Sequence, residues 1–158
     1  MRTDYENFLK TKQKSHILSG FDVSEDSLNQ NLFPFQKFIV KRALKAGKYA
    51  IFADCGLGKT LMQLEWAKQV SDETKKPVLI LAPLAVTGQT IKEGEKFGIE
   101  IGRVGECQMI HVSNYEQLEK IDVSIYSGVV LDESSILKNF EEATKNLITQ
   151  QFLSLIHI

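Results

Sequence analysis

Two short stretches of the chain hold residue types that can do chemistry together. The first is A-D-C-G-L-G-K-T at 53–60, after the apolar run Y-A-I-F and before the helix-like run L-M-Q-L-E-W-A-K. Gly56 and Gly58 allow backbone angles closed to other residues and let main-chain N–H groups approach an anion closely. Lys59 supplies a positive charge for outer phosphates, and Thr60 a hydroxyl for Mg²⁺. The helix that begins here directs the positive end of its dipole at the same point. This convergence suits a nucleoside triphosphate. The stretch follows the phosphate-loop pattern G-x-x-x-x-G-K-[ST] except at its first position, where Ala53 stands. Cys55, a small filler, with Gly56, Leu57, Gly58, Lys59, Thr60 and Leu61, is expected to line the nucleotide.

The second stretch is V-V-L-D-E-S-S-I-L-K-N, which puts Asp132 and Glu133 at the exit of an apolar run. Beside a phosphate loop, the first acid holds Mg²⁺. The second orients and deprotonates the attacking water. Lys59, Asp132 and Glu133 are therefore the expected catalytic groups, with Thr60 and Asp132 on the metal. A glycine turn or a solvated strand end would account for either stretch alone. The two lie about 70 residues apart, which leaves room for two intervening βα units.

Elements that could position these groups are legible in the alternation of apolar runs with helical stretches. Strands are expected at 49–53, 78–82, 108–113 and 128–132, with a further short one at 100–104. Helices are expected at 2–14, 34–46, 59–70, 86–97 and 140–150, with a short one from Asn114. Residues 15–33 read as a lead-in loop. Pro34 suits a first helical turn and Gly47 a helix end. Short β-branched or leucine-rich runs between helices predict an α/β fold: a mostly parallel sheet with helices on both faces. Ligands on such sheets bind at the carboxyl ends of the strands, where both stretches fall.

The 158 residues fit one domain. The net charge of −1 hides an asymmetry: residues 1–48 carry nine Lys/Arg against five Asp/Glu. Lys37, Lys41, Arg42, Lys45 and Lys48 form either a solvated helix face or a face near phosphates. Two cysteines make no disulfide framework. With no membrane-length apolar run and no apolar signal core, a cytoplasmic protein is expected.

The form A-x-x-G-x-G-K-T resembles motif I of superfamily 2 helicases and translocases. D-E-S-S resembles the D-E-x-x box of motif II, with Ser134 and Ser135 where other branches carry A-D or A-H. F-P-F-Q-K is similar to the family's Q motif. Through that resemblance Gln36 is expected to read adenine N6 and N7 with its amide, and Phe35 or Phe33 to pack on the base. L-A-P-L-A-V-T-G-Q-T resembles motif Ia and H-V-S-N-Y-E-Q-L motif Ib. Pro83, Thr87, Gln89, Thr90, Ser113 and Asn114 are the implied nucleic-acid contacts. Helix capping is an equal alternative for Ser113 and Asn114. His111 reads as a strand residue without chemistry, and Tyr115 as core, with stacking on a base as its alternative.

The nearest resemblance is to the Swi/Snf-like branch of phage and bacterial DNA translocases. It implies a RecA-like P-loop NTPase domain at 31–150, after an N-terminal segment at 1–30. Residues 151–158 read as a truncated or non-native tail. It also implies Mg-ATP, a nucleic-acid partner (DNA in the nearest branch), and a second RecA-like domain supplying an arginine finger. A terminase-type packaging ATPase and a non-catalytic nucleotide-dependent interaction module are the competing readings.

Overall fold

The computed structural model describes residues 18–54 and 56–135, with the backbone of 154–157. The helices expected at 2–14 and 140–150 lie outside the described residues. Three α-helices are described: α1 (Pro34–Ala46), α2 (Lys59–Thr74) and α3 (Leu84–Phe97). The strands are β1 (Lys48–Ala50), β2 (Val78–Leu81), β3 (Gly102–Arg103), β4 (Ile110–Ser113), β5 (Gly128–Leu131) and β6 (Ser154–His157). They form one sheet in the order β1-β6-β5-β2-β4-β3, every pair parallel.

Pro34 begins α1 and Gly47, at φ 78°, ends it, as their residue types predict. The first strand is shorter than expected. It ends at Ala50, and Phe52 beyond it is 98% exposed, so the apolar run Y-A-I-F leaves the sheet halfway. α2 runs one turn further than its apolar pattern, because the Thr74 hydroxyl donates to the Val70 carbonyl and Lys75 closes the helix at φ 56°. Residues Tyr115–Lys120 form a 3₁₀ helix. Residues 151–158 are set apart in the sequence as an apolar, uncapped stretch. The backbone of Ser154–His157 forms the strand between β1 and β5.

Period-two alternation in the strands divides the core. Val78, Ile80, Ile110, Val112 and Val130 face a cluster built with α1, α2 and α3, around the fully buried Trp66. Leu79, Leu81, Val129 and Leu131 face the other way, onto Tyr115, Leu118 and Tyr126. His111 is buried there in a structural role. Its Nε2 lies 2.7 Å from the Cys107 carbonyl, so it carries the proton and donates, and Nδ1 accepts from the Tyr126 hydroxyl at 2.7 Å. Among the described residues no helix is long and apolar enough to cross a membrane.

Register is what builds the site. Leu81 lies level with Ser113 on one side and Leu131 on the other. The residues that follow, Ala82–Pro83, Asn114 and Asp132–Glu133, therefore emerge along one carboxyl edge. Asp132 is tied to that edge by its N–H, which donates to the Leu81 carbonyl at 2.9 Å.

Candidate functional site

The glycine loop leaves β1 and enters α2 through two left-handed glycines, Gly56 at φ 82° and Gly58 at φ 71°, the latter capping the helix. No side chain caps this N-terminus, so its first N–H groups keep their capacity for an anion. Lys59 and Thr60 are half-buried at the first turn. The Lys59 ammonium donates to the Ala53 carbonyl at 3.0 Å, folding the lysine back over the loop. Leu57 is exposed; Leu61 is buried in the core and belongs to packing. Cys55 lies outside the described residues.

Gln36 is buried at 3% exposure and holds the loop from outside. Its Oε1 accepts from the Phe33 N–H at 2.8 Å, and its Nε2 donates to the Leu57 carbonyl at 2.9 Å. It therefore braces α1 to the glycine loop, a role the sequence does not announce. A carboxamide has two donors and two acceptor sites, so these two bonds use half of its capacity. Phe33 and Phe35 stack nearly parallel at 6.2 Å between centroids, both exposed.

Asp132 is buried at the end of β5, and Glu133 is exposed beside it. Burial pushes the Asp132 carboxyl above the usual carboxylate range. The Gln63 amide, bonded to it, pulls it down; Glu133 pushes it up again, and the Lys59 ammonium pulls it down. Two side chains of α2, Lys59 and Gln63, thus act on the Asp132 carboxyl. Gln63 was missed in the sequence. It is 1% exposed, and its Oε1 has no partner, so its Nε2 is the donor to Asp132. The signal was its spacing: Gln63 stands four residues after Lys59, on the same helical face. Hard oxygen donors, one carboxylate and one hydroxyl, match an ion that keeps waters and phosphates as its other ligands, as Mg²⁺ does.

Glu133 takes φ 50°, in the left-handed region that non-glycine residues seldom occupy. Tyr115, expected as core, is core at 4% exposure. Its hydroxyl also donates to the Asp132 main-chain carbonyl at 2.6 Å. Burial, then the Asp132 and Glu133 carboxylates, raise this phenol well above its ordinary value.

A cavity of about 420 Å³ lies further along the same edge. Thr87, Ser113 and Asn114 line it, with Leu84, Arg103 and Lys120 among their neighbours. Of the other expected contacts, Thr90 is fully buried and donates to the Val86 carbonyl, so it has no surface for a strand. Gln89 is exposed but outside the cavity, 3.3 Å from Glu93 Oε1. Pro83 caps α3. Asn114 caps the 3₁₀ helix, its Oδ1 accepting from the Gln117 N–H at 3.0 Å, and lines the cavity as well. Arg103 and Lys120 were not singled out by the sequence, because neither stands in a motif.

No family model and no curated protein matches the chain. Solved structures do. The UvsW helicase from bacteriophage T4 superposes with TM-score 0.67 at 16% identity, over 99% of this chain and 59% of that one. The Sulfolobus solfataricus SWI2/SNF2 ATPase core in complex with dsDNA superposes with TM-score 0.69 at 19% identity, over 85% and 33%. At such identities the likeness is one of fold. The chain has a RecA-like α/β fold, and spans about three-fifths and one-third of these two proteins.

Proposed function

We propose that this domain binds Mg-ATP at the phosphate loop and acts as the first motor domain of a superfamily 2 ATPase that moves on nucleic acid, of the Swi/Snf-like branch. One observation carries the reading: in an all-parallel sheet the uncapped start of α2 and the Asp132–Glu133 pair stand at the same carboxyl edge, and Lys59 and Gln63 of α2 both act on the Asp132 carboxyl. Gly56, Gly58 and Lys59 hold the triphosphate. Thr60 and Asp132 would hold Mg²⁺, which when bound offsets the charge developing on the transferred phosphoryl group. Gln63 keeps the Asp132 carboxylate turned to that place, and Glu133 takes a proton from the attacking water. A second RecA-like domain completes the charge stabilisation. Titration with a fluorescent ATP analogue, in Mg²⁺ and in EDTA, tests this. Binding that requires Mg²⁺ is expected; no binding at millimolar nucleotide would end the reading.

Gln36 serves the loop first and the base second, through the donor and acceptor left over from its two bonds. Gln36→Ala is expected to weaken ATP and GTP alike by about tenfold, from one buried hydrogen bond or two lost. ATP should lose a further factor of about three. A loss confined to ATP would remove the brace, and no loss for either would remove both roles.

The cavity beside Ser113 and Asn114 takes the sugar-phosphate backbone of one strand, DNA in the reading favoured here, with Arg103 and Lys120 as its cations. Two phosphate contacts predict a plot of log affinity against log salt with slope of about −2. Lys120→Ala should lower the steepness by about one and weaken all sequences equally. A slope unchanged in Lys120→Ala, measured by fluorescence anisotropy, would place the strand elsewhere.

A further inference from the structure

One residue connects the acidic pair to the segment that lines the cavity. Tyr115 opens the 3₁₀ helix Tyr115–Lys120, directly after Asn114, so its backbone belongs to the segment from which Ser113, Asn114, Gln117 and Lys120 line the cavity. Its side chain does not line the cavity. It runs into the apolar cluster of Leu79, Leu81, Val129 and Leu131 and ends on the Asp132 carbonyl. That oxygen belongs to the planar peptide joining Asp132 to Glu133. Turning that peptide turns Glu133 about its N–Cα bond. The hydroxyl therefore holds the one peptide whose orientation sets where the Glu133 carboxylate points. Glu133 stands at φ 50°, a conformation that needs support. One buried hydrogen bond is of the same order as its strain.

We propose that Tyr115 is a positioning residue that couples the cavity to the acidic pair: a strand seated against Ser113 and Asn114 moves the start of the 3₁₀ helix, and the hydroxyl carries that movement to the Asp132–Glu133 peptide. The inference rests on the reading of the edge as a nucleotide site beside a nucleic-acid site. It goes beyond that reading in giving the two sites a physical link. The ring is buried in a cluster with strand residues Leu79, Leu81, Val129 and Leu131 and with Leu118 and Tyr126, so the close-packed tyrosine moves as a rigid lever. Asp132 is itself pinned by its N–H to Leu81 and by Gln63 at its carboxylate. Glu133, exposed and downstream of the held peptide, is the part free to respond.

The test is Tyr115→Phe, which keeps the ring in its cluster and removes only the hydroxyl. Affinity for a fluorescent ATP analogue in Mg²⁺ is measured with and without a saturating short DNA duplex, and duplex affinity with and without nucleotide. The two ratios must agree by linkage. The wild-type chain is expected to show a factor of about five or more. Tyr115→Phe should bind each ligand alone within about twofold of wild type, with the factor reduced to about one. In the amide spectrum, the duplex should shift the Glu133 resonance in the wild type and leave it in place in the variant. A variant that keeps the wild-type factor overturns the inference, and so does one that loses either ligand alone, since the tyrosine would then be structural. A wild-type chain that binds both ligands with no mutual effect overturns the coupling and leaves the site reading standing. One that binds neither overturns the reading itself, and the coupling with it.

Discussion

Glu133→Gln is expected to leave Mg-ATP affinity within about threefold of wild type and to slow hydrolysis by about 10²–10⁴-fold, the usual worth of a positioned general base. The measurement is single-turnover hydrolysis by a two-domain protein carrying this domain, beside direct nucleotide titration. The substitution is narrow in what it removes. Gln has the same reach as Glu and meets the same left-handed backbone at φ 50°, so the local strain is nearly unchanged. Glu133 is exposed, so no buried partner is stranded. Its charge holds the neighbouring Asp132 carboxyl up; removing it lets Asp132 ionise more readily, which favours the magnesium site. Affinity therefore has no reason to fall, and the loss appears in the chemical step alone. Normal turnover in Glu133→Gln would move the base elsewhere on the edge, and loss of nucleotide binding would make Glu133 a structural residue.

How much of this was legible beforehand differs between backbone and side chain. The glycine loop, the acidic pair and five of the six strands, the short β3 at 100–104 included, were readable, because strand propensity, glycine spacing and strand-exit acids are local signals. α/β order and the carboxyl-edge location followed from them. Gln63 and Tyr115 were not read as site residues, because each acts through a contact made across the fold. Gln63 is buried on a helix that is buried almost all round, so no amphipathic pattern set it apart. Tyr115 was correctly read as apolar core, and the hydroxyl at its far end was invisible to that pattern. Thr90 was read from a motif-like string, yet it lies on the buried side of α3 and satisfies its hydroxyl within its own helix. β6 was set apart because Q-F-L-S-L-I-H-I is apolar and uncapped, a pattern that does not reveal that the backbone of Ser154–His157 pairs between β1 and β5. Position along a chain carries no information about a parallel ladder, where neighbours in space are distant in sequence.

The strongest effect on binding is expected from Gly58. Both loop glycines have positive φ, so alanine at either is strained by about 1–2 kcal/mol. Their surroundings differ. A β-carbon at Gly56 would meet open space, whereas one at Gly58 would fall on the Gln36 Nε2 atom. Gln36 is buried and cannot move aside without breaking its bonds to Leu57 and Phe33, which adds about 1–3 kcal/mol for groups left unsatisfied. Gly58→Ala should therefore weaken Mg-ATP by about 10²-fold or more, and Gly56→Ala by about tenfold. Equal losses at the two positions, in the same nucleotide titration, would show that Gln36 does not brace the loop. The double variant Gly58→Ala with Gln36→Ala sharpens the test, because Gln36→Ala removes the atom that collides. Its total loss should fall short of the sum of the two single losses, leaving Gly58→Ala only its backbone strain once the brace is gone. Strict additivity would mean that the glycine is required by the loop alone and that the glutamine acts at a separate place.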